Sequence, residues 1–212
     1  MADYPHHEEP FSLLDDLAGV LDELPTLDIQ TVLGVILART RRHTGAEAGT
    51  IFIARPARSK EPTELHALAS QNDRVKIVNE TFVVPVDKTS IAGHVALHGD
   101  VLEIPDLYKL DASLPYSFNP AFDQKHQYHS QSMLAFPLMN LRREVVGVVQ
   151  LINHIQPGTI PSEIDYKSFP MKIVDDIRRV LTMLGVIVQW ADQAVEITYL
   201  EKEIETLKRL RG

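Results

Sequence analysis

The residues best placed for chemistry in this sequence stand at the start of one short predicted helix. Ser90-Ile91-Ala92-Gly93 opens an apolar segment with Ser90 in the N-cap position. The first N–H groups of a helix have no partner within it and sit at the positive end of its dipole. The tetrad could therefore cradle a phosphate or a carboxylate, with Gly93 permitting close approach. An ordinary capped helix without a ligand accounts for the same residues. A second concentration of functional groups lies in Asp106–Ser132, a long stretch carrying Tyr108, Tyr116, Phe118, Phe122 and Tyr128 among polar residues. Ordered segments of that length with little regular structure are commonly functional. Their rings could stack on a ligand or fill a core beneath the loop.

Other chemistries find less support. His94 and His98 are four apart on the predicted helix, and His126 and His129 follow Asp123, but no His-Glu-x-x-His or other ligand set occurs, so no metal is expected. The chain holds no cysteine, which excludes disulfides, thiolate–zinc sites, iron–sulfur clusters and thiol nucleophiles. It has no nucleophile elbow, Walker loop, dinucleotide fingerprint or kinase signature. The pairs Asp15-Asp16 and Asp175-Asp176 fall on predicted helices, where adjacent side chains diverge by about 100° and do not converge on one proton. No catalytic residue is assigned, and the chain reads as a regulatory domain rather than an enzyme.

The bulk numbers agree with a folded, acidic protein. The 212 residues suit one large domain with helical extensions, and 44% hydrophobic against 24% charged residues is ordinary for a globular chain. A formal charge of −8 opposes general binding to nucleic acid or to anionic lipid. The first ten residues lack a signal-peptide pattern, and Val180–Ala191 is too short and too interrupted to span a bilayer. A cytoplasmic location with no membrane partner is expected.

The elements that must position these residues follow from hydrophobic period. After a flexible arm, 1–10, the spacing of Phe11, Leu14, Leu17, Leu21 and Leu24 predicts a helix over 11–26, closed by Pro25. A second helix runs from about Asp28 to Gly45. Strands are predicted at Gly49–Ala54, Glu64–Ser70, Phe82–Val86 and Val101–Ile104, with the Ser90 helix between the last two. Short helices are expected near 106–110 and 120–127. Met133–Met139 and Val145–Asn153 form a hairpin about Asn140–Glu144. A helix then begins near Met171, and from Val186 its apolar positions Ile197, Leu200, Ile204 and Leu207 step by three and four as a coiled-coil heptad.

Five ordered segments carry a resemblance. They are Ser90 to Ala96, Val101-Leu102-Glu103-Ile104-Pro105-Asp106, Phe118-Asn119-Pro120-Ala121-Phe122-Asp123, Tyr128 to Leu138, and Val146-Gly147-Val148-Val149-Gln150-Leu151-Ile152-Asn153. Together they resemble the signatures of a GAF domain, most strongly those of cyclic-nucleotide phosphodiesterases and of bacterial signalling cyclases and phosphohydrolases. The resemblance covers about 27–191. It implies an α+β fold: a six-stranded, mostly antiparallel sheet with helices on both faces and long N- and C-terminal helices. It also implies a ligand pocket under the Ser90 helix and the aromatic loop, lined by Ser90, Ile91, Ala92, Gly93, Tyr116, Phe118, Asp123, Tyr128, Ser130 and Ser132. No cofactor is obligatory; a cyclic nucleotide or another small molecule is the expected ligand. The segment 192–212 would be a coiled-coil signalling helix, making a homodimer through terminal helices and controlling an attached or tandem signalling domain.

The pattern departs from the family at three points. Asn153-His154 stands where nucleotide-binding members carry Asn-Lys, Phe169 stands before Asp175-Asp176 with five residues between where the family has a Phe three residues before Asp-Glu, and Ser130-Gln131 replaces Thr-Arg. Each removes or displaces a group expected near a nucleotide, which favours the alternative of a ligand-free dimerisation and scaffolding domain. Relatives that reduce methionine sulfoxide or carry bilins typically use cysteines, which this chain lacks.

Overall fold

A computed structural model describes residues 29–55, 63–77, 82–156, 166–178 and 183–190. The arm 1–10, the helix expected over 11–26 and the heptad in 192–212 lie outside the described residues.

Helix α1, Ile29–Thr44, turns Val32, Leu33, Ile36 and Leu37 inward at helical spacing. Gly45 ends it at φ +66, where an added Cβ would meet the Ile155 carbonyl oxygen at 2.7 Å. The chain passes directly into β1, Ala46–Arg55, three residues earlier than the sequence pattern suggests. Gly49 lies inside β1 rather than at its start, and its bare Cα accepts Leu37 of α1 in close contact.

Strands β2 (Glu64–Asn72), β3 (Val83–Pro85), β4 (Leu102–Ile104), β5 (Met133–Met139) and β6 (Val145–His154) complete a six-stranded sheet in the order β3-β2-β1-β6-β5-β4. Every neighbouring pair is antiparallel. The long central strands β1 and β6 are buried on both faces, as the apolar runs of their sequences require. The β5–β6 turn is built by Asn140, whose side-chain oxygen accepts from the backbone N–H groups of Arg142 and Glu144.

The fold is the α+β arrangement expected, with a core on each side of the sheet. On one side Ile51, Ile53, Leu134, Phe136, Val149 and Leu151 meet α1 and the helical segments 171–178 and 183–190 through Ile173, Ile177, Leu184 and Val188. Gly185 lies so close to β5 that a Cβ there would come within 2.0 Å of the Met139 carbonyl oxygen. On the other side Phe52, Met133, Ala135 and Val148 pack under α2, Ile91–His98, and the loop after β4. That loop holds a 3-10 turn, Leu107–Lys109, and a short helix α3, Ala121–His126. Among the described residues no helix is long and apolar enough to cross a membrane.

Candidate functional site

Strand alternation sends Ala48, Thr50 and Phe52 of β1, Gln150 and Ile152 of β6, and Met133 of β5 to the same face, where they floor a cleft of about 500 Å³. The register places Thr50 opposite Gln150 and Ala48 opposite Ile152. The roof is the start of α2 and the segment 117–130, including Phe118, Phe122, Asp123, Tyr128 and Ser130. The volume falls within the range of small-molecule sites, about 300–1,000 Å³. Lys125 is the one basic residue among the described lining residues.

The α2 end of the roof is a capped helix N-terminus. Ser90 is extended, at φ −102 and ψ 154, and its Oγ accepts the Gly93 N–H at 3.0 Å. Ser90, Ile91 and Ala92 line the cleft. Gly93 stands behind them, and a Cβ on it would meet the carbonyl oxygens of Pro85 and Asp87 at 2.5 Å. The close approach that this glycine permits is that of its own chain.

Asp123 is buried and its carboxylate accepts three hydrogen bonds: from Ser130 N at 2.7 Å, Ser130 Oγ at 2.8 Å and the Tyr108 hydroxyl at 2.7 Å. Gln127 makes this possible by turning the chain at φ +52. Burial and Asp123 push the Tyr108 phenol up to about 12. The Tyr108 ring stacks on His129 at 4.8 Å and meets Phe118 edge-on at 5.2 Å. Asp123 thus first fastens the roof, and a ligand touching it would share a carboxylate already engaged.

The other candidates are dispersed. Phe118 and Tyr128 line the cleft, whereas Tyr116 packs on the His94 ring at 4.7 Å and lines an adjacent open groove of about 430 Å³. Ser132 is fully buried, where its Oγ accepts the His154 N–H at 3.1 Å. His94 and His98 stack on each other at 4.0 Å instead of converging on a point between them. Among the described residues no group of three His, Asp or Glu side chains is arranged to hold a metal.

Beside the cleft lies a cluster that sequence reasoning missed. Glu47 of β1 is buried, and its carboxylate accepts from the Tyr128 hydroxyl at 2.7 Å, the Tyr166 hydroxyl at 2.6 Å, Asn153 Nδ2 at 3.2 Å and Arg74 Nε at 2.6 Å. Asn153, at φ +61, also donates to the His129 carbonyl at 2.8 Å and accepts the Gln131 N–H at 2.7 Å. Burial first, then the Glu47 charge and hydrogen bonding, hold both phenols above the ordinary tyrosine range. The one available signal was an acidic residue inside an apolar strand run, Ala46-Glu47-Ala48.

The positions that depart from the family pattern have definite tasks. His154 Nδ1 donates to the last carbonyl of α1, Thr44, at 2.8 Å, and its ring lies 5.3 Å from Phe169. Gln131 Nε2 donates to the Tyr166 carbonyl at 3.2 Å. Both groups fasten the connection leading to the helical segment 171–178.

Comparisons with known proteins identify the family and the fold. A family model described as GAF domain matches residues 28–168. A cGMP-specific 3',5'-cyclic phosphodiesterase of Drosophila erecta is 28% identical over 178 residues, covering 80% of this chain and 15% of its own length. The dual 3',5'-cyclic-AMP and -GMP phosphodiesterase 11 of Drosophila melanogaster is 28% identical over 167 residues, 75% of this chain and 11% of that protein. Among solved structures, the nlh2 GAF domain of A. Aeolicus in an inactive state superposes with a TM-score of 0.58 at 14% identity, over 87% of this chain and 97% of that one. The last likeness is one of fold.

Proposed function

The chain belongs to the GAF domain family, and from that premise we propose that its cleft binds a small molecule, with a cyclic nucleotide as the leading candidate. GAF domains are small-molecule-sensing regulatory domains of phosphodiesterases and other signalling proteins. The observation that carries the reading is the cleft of about 500 Å³ between the sheet and the Ser90 helix, where rings, hydroxyls and carboxamides converge. The printed names of the relatives, enzymes acting on cyclic AMP and cyclic GMP, support the choice of candidate. The ligand-contacting residues in this reading are Ser90, Ile91, Ala92, Phe118, Asp123, Tyr128 and Ser130.

In this reading binding is passed on through the C-terminal helix to an attached or tandem output domain, and the domain itself does not catalyse. Support for a route comes from Glu47, which bonds both Tyr128 in the roof and Tyr166, just ahead of the helical segment 171–178. To act as a switch the ligand must bind two helix arrangements with different affinity. We also propose a cytoplasmic homodimer joined through the terminal helices, because the heptad residues Ile197, Leu200, Ile204 and Leu207 need a partner to leave water. Sedimentation of the chain with and without 192–212 tests that dimer.

Titration calorimetry and thermal shift with cyclic AMP, cyclic GMP and other purines test the central claim. Saturable heat with a raised unfolding midpoint supports it, and no response to any of them sinks the nucleotide version. A ligand-free scaffolding role is favoured by one observation, that Asp123 and Ser132 already spend their polar atoms within the chain.

A further inference from the structure

Most polar side chains lining the cleft have partners. Thr50 accepts from Ser70 at 3.2 Å, Ser90 caps α2, Asn72 accepts from the backbone of Arg74 and Val75, and Asp123 and Ser130 bond each other. Gln150 is different. It lies in mid-strand on β6, flanked in sequence by Val149 and Leu151 of the opposite core, and its half-buried side chain lines the cleft floor beside Phe52, Met133 and Ile152. Among the described residues its carboxamide has no hydrogen-bond partner.

A carboxamide presents an N–H donor and a carbonyl acceptor side by side in one plane. Half-buried, it stays open to water in the unliganded cleft, so a ligand that displaces this water must carry the complementary acceptor and donor or leave the amide unpaired. The match for glutamine is the pairing it makes with adenine, whose amino group donates while the neighbouring ring nitrogen accepts. Phe118, Phe122 and Tyr128 supply aromatic faces for such a ring. The charge balance says little for a phosphate: the described lining offers one lysine, Lys125, against Asp123, and no arginine fork.

Resting on the reading of the cleft as a ligand site, we infer that it recognises a planar nitrogen heterocycle of the adenine type by its edge, through Gln150. A phosphate on that ligand adds little. Adenosine, cyclic AMP and guanosine are titrated into the 212-residue chain and into Gln150→Leu and Gln150→Glu. Adenosine and cyclic AMP are expected to bind within about threefold of each other, with affinity nearly independent of salt. Gln150→Leu, which fills similar space without polarity, is expected to leave the unliganded melting midpoint unchanged and to weaken both by about tenfold or more. Gln150→Glu, an acceptor only, is expected to shift preference towards guanosine, whose edge carries adjacent donors.

If cyclic AMP binds more than tenfold tighter than adenosine, or Gln150→Leu binds as the parent does, the inference is overturned while the cleft remains a ligand site. If none of the three binds but another small molecule gives a thermal shift that Ile91→Trp abolishes, the adenine-type edge is likewise overturned. No shift with any compound overturns the inference and the ligand-site reading together.

Discussion

Replacing Glu47 by alanine removes the acceptor shared by two phenols, a carboxamide and a guanidinium. Hydrogen bonds to a charged group contribute about 1.5–3 kcal/mol each, and the half-exposed Arg74 end contributes less than about 1 kcal/mol. Asn153 keeps the His129 carbonyl, so the loss falls chiefly on Tyr128 and Tyr166. Release of the desolvated carboxylate offsets part of it. The expectation is a destabilisation of about 3 kcal/mol, read in urea as a lower midpoint at unchanged slope, or as a thermal midpoint lowered by roughly 6–12 °C. Tyr128→Phe, which leaves the carboxylate its other donors, should cost about 1 kcal/mol. The two changes should couple by at least about 1 kcal/mol in a double-mutant cycle. A Glu47→Ala loss below about 1 kcal/mol, or strict additivity with Tyr128→Phe, would refute the cluster as a fastening of roof to sheet.

Two glycines on helices separate space from backbone preference. Gly185→Ala should cost about 2–3 kcal/mol in denaturant titration, because its Cβ would sit 2.0 Å from the Met139 oxygen and lift the segment off β5. Gly34→Ala in α1, whose nearest neighbour would be Gln71 Nε2 at 3.9 Å, should instead gain about 0.5–1 kcal/mol. For His94, burial first and then His98 hold the imidazole below its ordinary range. A depressed folded value means that the unfolded chain takes up the proton more readily, so this contribution is present above about pH 6.5 and lost as the pH falls below it. Thermal midpoints of His94→Phe should accordingly decline less between neutral and mildly acidic pH than those of the parent; equal declines would remove His94 as the cause.

The parts of the fold that were legible in the sequence are those set by local rules. The period of α1, the Ser90 cap and the Asn140 turn each act within a few residues, and each appears where the sequence places it. The start of β1 was placed three residues late, at Gly49, because Ala46-Glu47-Ala48 carries little strand signal of its own. The Glu47 cluster was illegible for a different reason: its partners lie 27, 81, 106 and 119 positions away. Within a window of ten residues its only mark is its place between Ala46 and Ala48.

This difference in range bears on the site itself. Resemblance placed Asp123, Ser130 and Ser132 at a pocket, but the structure shows their polar atoms serving contacts within the chain. A side chain can match a family motif and still be committed to holding its loop, because a buried polar atom must be paired whether or not a ligand arrives. The residues with free capacity for recognition are those the fold leaves unmatched. On the described floor of the cleft that criterion selects Gln150, so the proposed ligand rests more on this carboxamide than on the acid of α3.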